Sequence, residues 1–259
     1  MRLVVSRISF LKITITRPFN GIGDWLFALG CIKYVNRQRP DVEVFVDFKR
    51  ARHLPLLVPG LFELSDAVYK SGAPADSIET RDSLVYRKRP PELFLESTLL
   101  HLSDQTGIPL RYEHGVYPSF KVKSQPENYV VMIGHGKRRL EAGKEWGFEN
   151  FSALAAKLLD MGVEVVQLGG DNDWRFPRAN AYLMGARAEK VLRLLAGAKL
   201  FVGIENGLMV LSGYLGIPQV TVYNGNAYPT RVDFENQTKV TRRVTPDEVA
   251  EIVRAKLAA

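Results

Sequence analysis

Three short stretches of this sequence hold residues whose types and spacing could do chemistry. The first is PFNGIGDWLFALG (18–30), which sets Gly21 and Gly23 one residue apart and then places a carboxylate, Asp24, at the head of an apolar run. A Gly-x-Gly step after a strand often cradles a phosphate, because backbone N–H groups can come close to it. An acid at that spot repels a phosphate. The dinucleotide fingerprint also fails, since Leu26 stands three residues after Gly23 where a third glycine belongs. Asp24 therefore reads either as a proton acceptor or as an acid that stabilises a helix N-terminus.

The second stretch is VGIENGLMVLSGYLGIP (202–218). Gly203, Asn206 and Gly207 let the chain turn tightly and open a helix with free backbone N–H groups, a ready anion site. The plainer role is that Gly207 makes the turn and Asn206 caps the helix. The third is GHGKRRLEAGKEW (134–146), which gathers His135, Lys137, Arg138, Arg139 and Lys144 on one loop. Fixed cations stabilise a phosphate that gains charge as it leaves a sugar, although charge runs are commonly just solvated surface. Lys144-Glu145-Trp146 stands out, because an exposed Lys beside Trp is a poor choice for solubility alone.

The elements that must position these loops alternate between strand and helix. LKITIT (11–16) reads as a buried strand and DWLFALGCIKYVNRQR (24–39) as a helix. VEVFVDF (42–48) is the next strand. LPLLVPGLFELSDAVYK suggests a short helix, a Pro-Gly turn and a strand at 67–70. Residues 71–92 break the rhythm and read as a long loop or weakly structured insertion. A helix follows, stopped by Gly107 and Pro109, and then a linker with a short strand. From Tyr129 the alternation restarts: strand, amphipathic helix, the strand VEVVQLGG, the helix AEKVLRLLAGA, the strand KLFVGIENG, a short helix, the strand PQVTVYNG and a closing helix. That last helix is announced by Thr245, Pro246, Asp247 and Glu248. The expected fold is α/β, two Rossmann-like parallel-sheet domains facing across a cleft. The domains are 1–122 and 123–259, with a seam near 118–127. The closing helix 245–258 is a candidate to pack back on the N-terminal domain. Ligands in such sheets bind at the carboxyl ends of the strands. This points to the loops 17–24, 134–146, 169–175, 203–208 and 223–230.

Composition narrows the class. At 259 residues and 46% hydrophobic, the chain is long and apolar enough to bury a core. The lone cysteine, Cys31, excludes an internal disulfide framework and a Cys-based zinc site, and suits a reducing compartment. No apolar run approaches the roughly 20 residues that span a bilayer. The N-terminus lacks the pattern of a signal peptide, so a cytoplasmic location is expected. The formal charge of +7 suits an anionic partner. No nucleic-acid module is present, which leaves a phosphorylated substrate or a peripheral contact with an anionic membrane face. No HExxH or Asp-x-Asp motif occurs, and His53, His101, His114 and His135 are scattered, so neither a metal nor a cofactor is expected.

Four segments, NGIGDWLFALGCIKYVNRQRPDVEV, GKEWGFENFSALAAKLLDMGVEVVQLGG, AEKVLRLLAGAKLFVG and ENGLMVLSGYLGIPQVTVYN, together resemble glycosyltransferase family 9, the bacterial ADP-heptose:lipopolysaccharide heptosyltransferases of GT-B fold. The likeness is strong over 11–48 and 129–258 and weak over about 70–120, and the N-terminal half reads as shortened. The resemblance implies an inverting, metal-independent transfer of a sugar, heptose among the candidates, from a nucleotide-diphospho-sugar to an acceptor hydroxyl in lipopolysaccharide or other surface-glycan synthesis. The family's donor is ADP-linked, which makes an ADP-linked donor the expectation here, with a sugar or a lipid-linked glycan as acceptor. The resemblance casts Asp24 as general base and sets Gly23 against the cleft. It places Lys144, with Lys137 beside it, on the donor phosphates and Glu189 on the ribose. Met184 and Gly185 lie near the base, and the loop of Glu205, Asn206, Gly207 and Leu208 lies under the diphosphate. Three positions depart from the family loop: Glu205 replaces its Asp, Asn206 its Ser/Thr and Val210 its His. These departures keep open a nucleotide-sugar-binding protein without transfer. A related epimerase or hydrolase also remains open.

Overall fold

The computed structural model describes residues 11–15, 21–50, 57–80, 94–124, 127–134, 146–223 and 234–259. The expected fold is the one observed: two parallel sheets flanked by helices. The N-terminal sheet has the order β3-β2-β1-β4, with β1 Leu11–Ile15, β2 Val42–Val46, β3 Lys70–Ser71 and β4 Ile78–Glu79. The C-terminal sheet has the order β10-β9-β8-β5-β6-β7. Its strands are β5 Tyr129–Ile133, β6 Glu164–Gly169, β7 Ala181–Met184, β8 Leu200–Ile204, β9 Gln219–Tyr223 and β10 Gln237–Thr241. Every pairing between these strands is parallel. The central strands YVVMI and LFVGI are buried along their whole length, as a strand covered by helices on both faces must be. Strand order reverses between β5 and β8, and a doubly wound sheet opens its ligand crevice at that point.

The helices are α1 Ile22–Gln38, α2 Val58–Leu64, α3 Phe94–Thr106, α4 Phe148–Asp160, α5 Ala188–Gly197, α6 Gly207–Tyr214 and α7 Pro246–Ala258. α4 shows why such segments fold this way. Phe151, Leu154, Ala155 and Leu158 recur at helical spacing and are buried. Pro59 and Gly60, expected to make a turn, instead lie in the first turn of α2, where proline loses no hydrogen bond. Part of the expected loop at 71–92 is ordered sheet. β4 pairs with β1, and Lys12 holds Asp76 at 2.6 Å. The rest of that segment lies outside the described residues. β7 and β10, which the sequence pattern did not reveal, are the two edges of the C-terminal sheet.

The closing helix does not return to the N-terminal domain. Val249, Ala250 and Val253 of α7 join the core layer that holds Phe151, Leu154 and Leu158 of α4, and Lys157 pairs with Asp247 at 2.6 Å. The apolar face of α7 is thus spent on the C-terminal sheet. Thr245 and Glu248 exchange the reciprocal bonds of a capping box.

The two sheets are joined by a continuous core in which α1 packs on α6 and α2 on α5. Tyr214 of α6 donates its hydroxyl to the Leu26 carbonyl of α1 at 3.2 Å. The connecting segment after α3 covers this seam with aromatic rings. Tyr117 stacks on Tyr214 at 5.2 Å, and Tyr112 stacks on Tyr34 at 6.0 Å. The chain then leaves the N-terminal unit, where Lys121 N–H bonds the Leu64 carbonyl, and enters the other, where Glu127 N–H bonds that of Gly197. No helix among the described residues is long and apolar enough to cross a membrane.

Candidate functional site

Two helix starts meet where the carboxyl ends of the sheets face each other. α1 begins after β1, with Gly21 extended before it, and α6 begins directly after β8. Their backbones touch: a Cβ added to Gly207 would lie 2.5 Å from the Gly23 nitrogen and 2.7 Å from Ile22 Cβ. Only glycine fits at 207, so the close approach itself explains that residue. The structure thereby brings Gly23, Asp24, Asn206 and Gly207 together from sequence positions some 180 residues apart.

Each start is finished by a side chain. The half-buried Asp24 sits in the first turn of α1, and its Oδ2 accepts the Gly21 N–H at 3.2 Å. This is the helix-stabilising role of the plainer reading, and it also fixes the carboxylate beside α6. Asn206 Oδ1 accepts the Met209 N–H at 2.9 Å. Its Nδ2 is buried and has no hydrogen-bond partner among the described residues, which costs about 1–3 kcal/mol unless something fills the gap. Val210 N–H bonds the Asn206 carbonyl. The N–H groups of Gly207 and Leu208 have no acceptor within the helix by geometry. Glu205 is half-buried and Leu208 is buried. Val210 is 3% exposed and belongs to the shared core, so that position supplies packing and no polar group.

Met184, Gly185 and Glu189 lie on the same carboxyl edge, at the end of β7 and the start of α5. With β7 three strands from β8, that is about 14 Å from the α6 start at ~4.8 Å per strand. Gly185 has φ +60, and a Cβ there would collide with the Asp171 carboxylate. Glu189 is exposed and pairs with Arg193 one turn on, at 2.6 Å. Ala188, its neighbour, meets Gly60 of α2, which places Glu189 beside the seam between the two units. Lys137 and Lys144, with His135, Arg138 and Arg139, lie outside the described residues. The sequence marks the loop 169–175 at the end of β6 only by its position. The signal within it is an exposed tryptophan, Trp174, among polar neighbours. A cavity of about 530 Å³ beside β4 and α3, lined by Ala73, Ser77, Glu79 and Gln105 among others, involves none of the residues above. Among the described residues no group of three or more His, Cys, Asp or Glu could hold a metal.

Residues 118–245 match the model of glycosyltransferase family 9 (heptosyltransferase). That stretch, a little under half of the chain, is similar to the family 9 glycosyltransferase domain. The match runs from the connecting segment to the cap of α7 and so contains the α6 start. Among curated proteins none matches the chain by sequence. Solved structures similar to it span it almost end to end. E. coli heptosyltransferase WaaC with ADP has a TM-score of 0.66 at 17% identity, covering 95% of this chain and 100% of that one. E. coli ADP-heptose lps heptosyltransferase II has a TM-score of 0.69 at 14% identity, covering 96% and 99%. A family 9 glycosyl transferase from Veillonella parvula has a TM-score of 0.71 at 10% identity, covering 98% and 99%. Identities this low establish a shared fold alone.

Proposed function

We propose that this chain is an inverting, metal-independent glycosyltransferase that moves a sugar from a nucleotide-diphospho-sugar to an acceptor hydroxyl. The observation that carries the reading is the contact of the two helix starts at Gly23 and Gly207. It sets a carboxylate from one half beside N–H donors of the other that the helix itself leaves unused. The donor diphosphate lies on the N–H groups of Gly207 and Leu208 and on Asn206 Nδ2, at the positive end of α6. The cations Lys137 and Lys144 neutralise the leaving diphosphate. Glu189 takes the ribose, and Met184 and Gly185 lie against the base. The acceptor comes from the N-terminal half. Asp24 removes its proton as the hydroxyl attacks the anomeric carbon opposite the departing diphosphate, so configuration inverts. A carboxylate with a reference pKa of roughly 4 is ionised at neutral pH, as a base must be.

Two of the similar structures support an ADP-linked donor, heptose among its sugars, in lipopolysaccharide or another surface glycan, because WaaC is seen with ADP and heptosyltransferase II acts with ADP-heptose. The net charge of +7 supports work in the cytoplasm at the membrane face, on a lipid-linked acceptor. The test is a panel of ADP-, GDP-, UDP- and dTDP-linked sugars with a labelled-acceptor assay, run with and without chelator, and the product anomer read by NMR. Asp24→Asn is expected to keep donor binding and lose transfer. Retention of the donor's anomeric configuration, or loss of activity in chelator, would sink the corresponding part of the reading. The buried Val210 favours a second reading, a donor-binding protein without transfer. In that case the wild type binds a nucleotide sugar but neither transfers nor hydrolyses it.

A further inference from the structure

The carboxyl edge of the C-terminal sheet carries an exposed aromatic that the mechanism above does not use. Trp174, on the loop between β6 and β7, is 62% exposed, whereas Trp25 and Trp146 are 2% and 4% exposed. The turn that bears it is anchored. Gln167 of β6, itself 2% exposed, donates Nε2–H to the Trp174 carbonyl at 2.6 Å and accepts the Phe176 N–H at 2.7 Å. Asp173 accepts the Gly170 N–H at 2.7 Å. The indole meets Phe148 edge to face, with centroids 5.3 Å apart. A large apolar ring is therefore held open to solvent by buried polar bonds made for its backbone. A ring that served only the core would turn inward, as Phe176 does at 1% exposure.

Its place on the sheet says what it faces. The strand order β10-β9-β8-β5-β6-β7 is the doubly wound order, in which each three-strand half can hold a mononucleotide beside the crevice; β5, β6 and β7 form the half that bears Trp174. From the α6 start on β8 to β6 is two strand spacings, about 10 Å, which is the reach of a nucleoside from its phosphates. We infer that Trp174 is the stacking surface for the nucleobase of the donor. This rests on the donor-site reading above. A membrane contact for this ring is disfavoured by charge, because Asp171 and Asp173 offset Arg175 and Arg178 and leave its own loop without net charge. Every base has a π-face, so an indole adds affinity without choosing the base.

The test titrates ADP, GDP, UDP, dTDP and inorganic pyrophosphate into the wild type, W174A and W174F by calorimetry, and follows tryptophan fluorescence. Nucleotides are expected to quench the wild-type emission while pyrophosphate leaves it unchanged. W174A should weaken each nucleotide that binds by about tenfold, leave pyrophosphate affinity unchanged, and be rescued by W174F. Nucleotide affinities within twofold of wild type in W174A would overturn the stacking role alone, as would a loss confined to the acceptor KM. A wild type that binds neither nucleotides nor pyrophosphate would overturn the donor site, and the stacking role with it.

Discussion

The two helix starts that meet at Gly23 and Gly207 follow one plan, a parallel strand turning sharply into a helix, yet they are completed by opposite groups. The α1 start brings its own anion: Asp24 accepts the Gly21 N–H. The α6 start brings an amide, whose oxygen caps Met209 and whose Nδ2 is buried without a partner among the described residues. Each helix start carries about half a positive charge. Asp24 meets the positive end of α1 with a charge, whereas Asn206 meets that of α6 with a neutral amide that still has a hydrogen to donate. The difference matches the division of labour proposed above, in which a phosphate lies on α6 and a neutral hydroxyl beside α1, where a phosphate would meet Asp24. The glycines at the two starts differ as well. A Cβ on Gly23 would make an ordinary contact at 3.5 Å, whereas one on Gly207 would collide with the facing backbone at 2.5 Å.

The largest expected effect breaks the carboxylate side. Asp24→Asn should lower turnover by about 10²–10⁴-fold, the usual worth of a general base, while the donor Kd stays within twofold. Near-normal turnover would reduce Asp24 to a helix acid. Next comes the contact itself. Gly207→Ala must push the loops apart and should cost up to about 3 kcal/mol in a chemical melt, together with donor affinity. Gly23→Ala, whose Cβ would meet Gly207 Cα at an ordinary 3.5 Å, should be tolerated. Equal stability of the two variants would mean that the loops do not touch.

A structural carboxylate supplies the control. Asp66 takes Lys33 Nζ at 2.5 Å, Ser119 Oγ at 2.7 Å and Ser119 N–H at 3.0 Å, tying α1 and the connecting segment to the end of α2. Burial raises its pKa, but the Lys33 ammonium and the Ser119 bonds outweigh this and hold it below the usual carboxylate value. Its folded pKa is depressed, so its stabilisation is present above the unfolded value of roughly 3.9 and is lost as pH falls through the folded value. Asp66→Asn should cost about 2 kcal/mol at neutral pH, flatten the acid limb of the stability profile, and leave transfer intact. Loss of turnover without loss of stability in this variant would remove the contrast with Asp24.

How much of this was legible in the sequence followed from burial. β5 and β8, covered on both faces, show as unbroken apolar runs, and α4 and α5 show a clean helical period. β7 and β10 are sheet edges with mixed sequences, AYLM and QTKVT, and they pair only because a neighbouring strand offers its backbone. β4, only two residues long, was hidden in a polar stretch for the same reason. The closing helix has an apolar stripe that says it must pack but not against what, and the choice of α4 over the N-terminal domain is a tertiary fact. In the site, Asp24 and Gly207 could be picked out one by one, but their contact could not. Asn206 could be read as a cap, while its unsatisfied Nδ2 appears only once neighbouring atoms are placed. Trp174 went unread because an aromatic in a polar loop has no period to mark it.

The smallest effect separates the two roles of Asn206, capping and ligand binding. Asn206→Ala removes both and should cost about 1 kcal/mol of stability as well as donor affinity. Asn206→Asp is the sharper change. Aspartate caps as well as asparagine, and its charge suits the positive end of the helix, so stability should hold or rise slightly. But it replaces the Nδ2 donor with an oxygen and turns a negative charge toward the diphosphate. Donor affinity should then fall about fivefold, roughly 1 kcal/mol, in a protein that melts no earlier than wild type. This variant would also make α6 resemble α1, each start carrying its own carboxylate. If the donor still bound with wild-type affinity, the asymmetry between the two starts would have nothing to do with the anion they accept.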